Sequence, residues 1–154
     1  MPRWKYSPFV LVPHPNFQID DDPGRVDFTK VHAWLTTAYW CPGVSRESVE
    51  KSAKYSALVV GAYTDAGQVG YCRVVSDRTT FAWLCDVWVD EGARGKGVAH
   101  AMVKFAVEHP DLQGLRRWLL ATKDAHAIYE EFGFKVLENP ERWMIRGQQV
   151  PAIS

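Results

Sequence analysis

The stretch that most constrains this chain runs from Trp83 to Phe105, where Trp83-Leu-Cys-Asp-Val-Trp-Val89 leads through Arg94-Gly-Lys-Gly97 into Val98-Ala-His-Ala-Met102. Its opening is apolar, aromatic and β-branched, the composition of a buried strand. Gly92 breaks that run, a basic glycine-rich turn follows, and Val98, Met102 and Phe105 then recur at helical spacing. A strand, a glycine-rich turn and a helix in that order aim backbone N–H groups and the positive end of a helix dipole at one place. Such a junction is an anion site, and it points to a phosphate-bearing cofactor. Gly95 and Gly97 let the backbone approach phosphates that a Cβ would hold off.

The flanking sequence sets this junction in a mixed sheet. Pro2, Pro8, Pro13 and Pro15 predict an extended arm over residues 1–16, with a short strand within Phe9–Val12. Phe17–Asp20 reads as a strand closed by a turn, and the run Asp20-Asp21-Asp22 before Pro23-Gly24 reads as turn chemistry. Asp27 is placed to cap a helix carrying Phe28, Val31, Leu35 and Ala38 and ending near Trp40; Ser45 is placed to cap a second, through Val49 and Ala53 to about Tyr55. Ala57–Tyr63, Val69–Val75 and Phe81–Val89 then predict a three-strand antiparallel meander leading into the glycine-rich turn. After the helix to Glu108 come a strand over Leu115–Thr122 and a short helix over Asp124–Phe132 with Gly133 at its C-terminal cap. Two last strands are expected at Phe134–Leu137 and Trp143–Ile145. The fold class is therefore α/β (α+β): a single mixed, largely antiparallel sheet of about six to seven strands flanked by about four helices. Residues 17–146 are expected to form the domain, with an arm at 1–16 and a tail at 147–154.

Lys+Arg and Asp+Glu balance at 18 each, so the chain as a whole attracts neither nucleic acid nor an anionic membrane. Cys41, Cys72 and Cys85 are odd in number and lack metal-ligand spacing, and no metal site is expected. Free thiols inside strands suit a reduced, cytoplasmic setting. The opening Met-Pro-Arg-Trp-Lys-Tyr lacks a signal-peptide core, and no apolar run reaches transmembrane length.

With the downstream Tyr129-Glu-Glu-Phe-Gly-Phe134 added, the chain resembles the GNAT-type N-acetyltransferases, an acetyl-CoA-dependent superfamily. That superfamily's signature of Arg or Gln, two residues, Gly, one residue, then Gly or Ala is met by Arg94, Gly97 and Ala99, with Val89 as the apolar residue five before Arg94. A Tyr followed shortly by Gly-Phe is met by Tyr129 and Gly133-Phe134, and the order of elements matches from about Phe17 to Ile145. The resemblance implies that Arg94, Gly95, Lys96, Gly97, Val98 and Ala99 wrap the diphosphate of coenzyme A, while the backbone of Val87, Trp88 and Val89 guides the pantetheine. Thr122 stands where many relatives carry a pantetheine-binding Asn, and Ala125 matches a small residue of the same motif.

The implied reaction is attack of an amine on the thioester. A lysine-like amine of pKa about 10.4 is protonated at neutral pH, a cost of roughly 4–5 kcal/mol that a base or a water path must meet. Asp86, interrupting an apolar strand just before the pantetheine segment, is one candidate for binding or deprotonating the amine; pairing with a neighbouring strand is the alternative. His126, three residues before Tyr129, is a further candidate for the base. Matching tyrosines in the family donate to the departing sulfur, which assigns Tyr129. A thiol near 8.5 and a phenol near 10 differ by about 2 kcal/mol, so hydrogen bonding without full transfer is enough. Trp34, Tyr39, Trp40 and Asp77 are expected on the acceptor side, as aromatic walls with a carboxylate.

The leading expectation is an N-acetyltransferase using acetyl-CoA and a small amine, an amino-acid derivative or a peptide or protein amine. The alternative is a non-catalytic acyl-CoA-binding sensor or scaffold. A dinucleotide oxidoreductase is set aside, because its glycine fingerprint follows the first strand of a β-α-β unit rather than a meander. The resemblance also allows a homodimer through the C-terminal strands.

Overall fold

The computed structural model describes residues 10–148. Among them six strands form one sheet in sequence order: β1 (Leu11–His14), β2 (Phe17–Asp20), β3 (Leu58–Thr64), β4 (Gly67–Ser76), β5 (Phe81–Val89) and β6 (Arg117–Leu119). Neighbours from β1 to β5 pair antiparallel, and β6 runs parallel to β5. Four helices pack on this sheet: α1 (Phe28–Leu35), α2 (Arg46–Lys54), α3 (Val98–Val107) and α4 (His126–Glu130). No helix among the described residues is long and apolar enough to cross a membrane.

Both faces of the sheet are buried, which is why its central strands read as continuous apolar runs rather than alternating ones. In β3, Leu58, Val60 and Ala62 join α3's Met102, Val103 and Ala106 in the larger core. Val59 on the same strand turns the other way and packs with Tyr71, with Val31 and Leu35 of α1 and with Val49 and Ala53 of α2. Both helices start as their caps dictate: the Asp27 carboxylate accepts from the Lys30 N–H, and the Ser45 hydroxyl from the Ser48 N–H. Gly70 gives α3 its close seat, since a Cβ there would meet the Met102 sulfur at 3.0 Å and the Ala62 Cβ at 3.1 Å.

The aspartate run splits its labour. Asp20 accepts from the Asp22 N–H and from Arg25, and Asp22 accepts from the Gly24 N–H, so these two serve the turn. Asp21 turns inward, 2 % exposed, and its Oδ2 lies 2.7 Å from His109 Nε2 just beyond the end of α3. His109 Nδ1 accepts from the Asp111 N–H, which leaves Nε2 as the protonated nitrogen that donates to Asp21. Asp21 Oδ1 also accepts from the Val10 N–H at 2.6 Å.

Four expectations are corrected. The short strand expected within Phe9–Val12 runs instead over Leu11–His14 and pairs into the sheet, while Phe9 lies outside the described residues. The first helix ends at Leu35, and turns carry the chain on to Trp40. The strand expected over Leu115–Thr122 shrinks to Arg117–Leu119, because β5 pairs with it only as far as Trp83. Phe134–Leu137 and Trp143–Ile145 are not strands: no ladder reaches them, and Val136, Met144 and Ile145 are exposed.

Candidate active site

The site begins with an irregularity in β5. Tyr71 opposes Trp88 and Arg73 opposes Cys85, so two steps on β4 face three on β5. The extra residue is a β-bulge, and Asp86 sits in it with φ +55°, a left-handed conformation that costs a non-glycine residue on the order of 1–2 kcal/mol. Two donors hold Asp86 there. Arg73 Nε lies 2.6 Å from Oδ2, and Trp40 Nε1 donates to Oδ1 at 2.9 Å. The paired side chains are 18 % and 10 % exposed, so each charge depends on the other for neutralisation.

Beyond Trp83, β5 and β6 part. The parallel ladder pairs Phe81 with Arg117, Ala82 with Trp118 and Trp83 with Leu119, and goes no further. From Leu84 to Val89 the edge of β5 away from β4 therefore lacks a strand partner among the described residues. The gap is a wedge-shaped cavity of about 470 Å³, lined on one side by Trp83 to Val87 and on the other by Leu120 to Ala125, with Tyr39, Trp40 and Tyr129 completing it.

The glycine-rich turn caps the far end of β5. Gly95 and Gly97 have φ of +76° and +82°, and the space where either Cβ would stand is open. Gly97 begins α3 without a side-chain cap, so the first-turn N–H groups of a ten-residue helix are left for an anion. Arg94 folds back, its Nε donating to the Val89 carbonyl and its guanidinium lying 5.3 Å over the Trp88 ring. Lys96 Nζ donates to the Gly92 carbonyl at 3.3 Å. Both cations thus brace the turn, and its backbone presents the donors. An unpartnered strand edge beside an uncapped helix start suits a ligand that combines an amide-bearing arm with a diphosphate.

Tyr129 enters the wedge from α4. Its side chain is 8 % exposed, and burial, with smaller contributions from Cys72, Tyr39 and Asp124, pushes the phenol up to about 12. It therefore carries its proton at neutral pH and can donate a hydrogen bond. The residues after Tyr129 close the helix as expected, with the Gly133 and Phe134 N–H groups returning to the carbonyls of Glu130 and Tyr129. Thr122 Oγ1 accepts from the Ala125 N–H at 3.1 Å, which starts α4 and leaves the hydroxyl proton free to donate.

The structure brings Tyr39, Trp40, Asp86, Val87, Thr122, Ala125 and Tyr129 together around the wedge. It does not bring Trp34 or Asp77 there. Trp34 packs against the core beneath α1 and α2. Asp77 closes its own turn, accepting from the N–H groups of Thr79, Thr80 and Phe81 and from the Thr80 hydroxyl. Those donors, the Thr80 hydroxyl first, hold its carboxyl well below the usual range. His126 is exposed and lines an adjoining groove that shares Leu120, Ala121, Thr122 and Tyr129 with the wedge. Sequence reasoning missed Arg73 and Lys123. A lone cation inside the apolar run Val69–Val75 was the available signal for Arg73.

Residues 55–136 match the family model for the acetyltransferase (GNAT) domain. A crystal structure from Xanthomonas campestris pv. campestris, described as an acetyltransferase belonging to the GNAT family, is 36% identical with a TM-score of 0.84, over 88% of this chain and 96% of that one. The chain belongs to the GNAT acetyltransferase family. The same fold recurs in an acetyltransferase structure from Deinococcus radiodurans (19% identity, TM-score 0.69, 86% of this chain and 89% of that one). It recurs again in a GNAT family N-acetyltransferase from Escherichia coli in complex with CoA (20% identity, TM-score 0.62, 81% of this chain and 72% of that one). A search of the curated proteins gave no match.

Two measurements check this account of the site's framework. Arg73→Met is expected to destabilise the fold by about 3 kcal/mol, by stranding Asp86, whereas Arg73→Met with Asp86→Gly should cost less because no uncompensated charge remains. Urea midpoints decide it, and a double variant no more stable than the single one contradicts the pairing. For Asp77, a depressed folded-state value means its stabilisation is present above the unfolded reference near 3.9 and is lost as pH falls below it. The melting-temperature gap between the native chain and Asp77→Ala should therefore be full at about pH 6 and shrink toward about pH 3.

Proposed function

We propose that the chain transfers the acetyl group of acetyl-CoA to a primary amine by direct attack on the thioester. The observation that carries this reading is the Tyr129 phenol, kept protonated by burial and lining the wedge where β5 and β6 part. Acetyl-CoA, when bound, supplies an acyl carbon activated by a sulfur leaving group. Every other part of the task falls to the chain's own residues. The N–H groups from Arg94 to Ala99, including those of Gly95, Lys96, Gly97 and Val98, receive the diphosphate, each charge-assisted contact contributing roughly 1.5–3 kcal/mol. Val87, Trp88 and Val89 offer the free edge of β5 to the pantetheine amides, and Thr122 donates its hydroxyl proton to a pantetheine carbonyl. Tyr129 donates to the sulfur as it leaves.

Asp86 acts in this reading by orientation. Both of its oxygens already accept hydrogen bonds, so it holds Trp40 and the bulge in place rather than stripping a proton from the acceptor. Tyr39 and Trp40 wall the acceptor side. The three free thiols suit a reducing cytoplasm, where we place the reaction.

A homodimer belongs to the same reading. Among the described residues β6 has a neighbour on one side only, and the groove along it is lined by Val136, Leu137 and Trp143, all exposed. A second copy seated there would cover both an open strand edge and apolar surface. Light scattering should return the mass of two chains, and a monomer at micromolar concentration removes this part of the reading.

Tyr129→Phe tests the catalytic assignment. It is expected to lower kcat by about a hundredfold or more while leaving acetyl-CoA binding by calorimetry within about twofold. Because the phenol titrates only near 12, that loss should be the same from about pH 6 to pH 9. Full turnover in the variant removes the leaving-group role.

A further inference from the structure

We infer that the acceptor presents a weakly basic amine, of the α-amino kind, on a flat aromatic body. The inference rests on the reading of the wedge as an acetyl-transfer site, and it follows from what the wedge can do with protons, charge and shape.

Protons come first. Among the described residues lining the wedge, the titratable groups that are not exposed to solvent are either already engaged or already protonated. Asp86 accepts from Arg73 and Trp40, and the Tyr39 oxygen accepts from the Lys123 N–H. Burial, helped by Asp86 and opposed by Arg73, pushes the Cys85 thiol up to about 12, and the same effect raises neighbouring Cys41 to about 11. Tyr129 is likewise a proton donor at neutral pH. Asp124 is exposed to solvent. His126 lines the adjoining groove and is not among the residues of the wedge itself. The enclosed part of the wedge thus offers no free group to deprotonate a lysine-like ammonium, and its acceptor arrives neutral.

Charge agrees. The inner wall carries one anion, Asp86, and it is locked to Arg73. Lys123 adds a positive charge, 5.1 Å over the Tyr39 ring, taking the cation–π position that an ammonium ligand would use. An ammonium entering here meets one cation already seated on the aromatic wall and an anion already paired.

Shape completes the argument. Tyr39, Trp40 and Trp83 line the wedge, and the Trp40 indole N–H is spent on Asp86. Tyr39 and Trp40 meet edge to face at 5.0 Å and 89°. The ring faces of Trp40 and Trp83 take a flat ring by stacking.

The step then balances without an enzymic base. The neutral amine nitrogen forms the N–C bond to the acetyl carbon, and the C–S bond breaks with its electron pair on sulfur. The nitrogen releases one proton to water, and coenzyme A leaves as a thiol after Tyr129 stabilises the departing sulfur and solvent supplies its proton.

The test follows thiol release from acetyl-CoA by the full-length chain with L-phenylalanine amide, glycine amide, 2-phenylethylamine and n-butylamine. At about pH 7, phenylalanine amide should exceed 2-phenylethylamine about a hundredfold or more in kcat/KM, because α-amino and lysine-like amines differ by a few hundredfold in neutral fraction. The gap should close as pH rises toward 10, with no enzymic ascending limb. Glycine amide should lose about tenfold against phenylalanine amide, mainly in KM, for want of the ring. An independent readout is tryptophan fluorescence: N-acetyl-L-phenylalanine amide should quench it saturably, and Trp40→Leu or Trp83→Leu should weaken that binding. Equal turnover of butylamine or 2-phenylethylamine at about pH 7 overturns the acceptor class while leaving acetyl transfer standing. Thiol release with none of the four amines, in a chain that binds acetyl-CoA, overturns acetyl transfer and the acceptor class with it.

Discussion

The pairing of Arg73 with Asp86 is what the site depends on. An aspartate held in left-handed backbone within a strand is unfavourable by itself, and so is a guanidinium set into an apolar strand. Each relieves the other across the β4–β5 ladder, and Trp40 reaches in from the loop after α1 to take the remaining carboxylate oxygen. The bulge that results lies just past the point where the β5–β6 ladder ends at Trp83. One ion pair thereby sits at the junction of three things: the parting of the strands, the placement of the acceptor-side aromatic wall, and the start of the unpartnered β5 edge.

Around that junction the fold is conservative. Apolar strands buried on both faces hold α1 and α2 on one side and α3 on the other, so the wedge is cut into a rigid sheet rather than assembled from loops. α3 presents its uncapped start at one end of β5, and α4 delivers Tyr129 to the other wall of the gap.

Much of this was legible in the sequence because it is local. Asp27 and Ser45 cap where short-range chemistry places them, the three-strand meander follows its turn residues, and the Arg94–Ala99 turn forms at the end of its strand. What escaped depends on partners distant in sequence. Phe134–Leu137 and Trp143–Ile145 have strand composition but no ladder neighbour, and composition cannot supply one. Asp77 has the chemistry to meet an amine, yet four donors within four residues claim it first. Trp34 and Trp40 looked equivalent; the helix ending at Leu35 leaves one over the core and frees the other to reach Asp86. Arg73 was visible as a misplaced charge, but its partner lies across a bulge that no period-two pattern reveals.

The buried contact at the far end of α3 has a consequence for the molecule as a whole. That helix starts at the glycine-rich turn, and just past its end His109 grips Asp21, which in turn holds the backbone of Val10 beside β1. A ligand that binds only the ordered turn adds its binding free energy to the folded state, growing as the logarithm of its concentration over Kd. Through α3, that increment is shared with the opposite edge of the sheet. The N-terminal hairpin, more than sixty residues away in sequence from the turn, is thermodynamically coupled to any ligand held there.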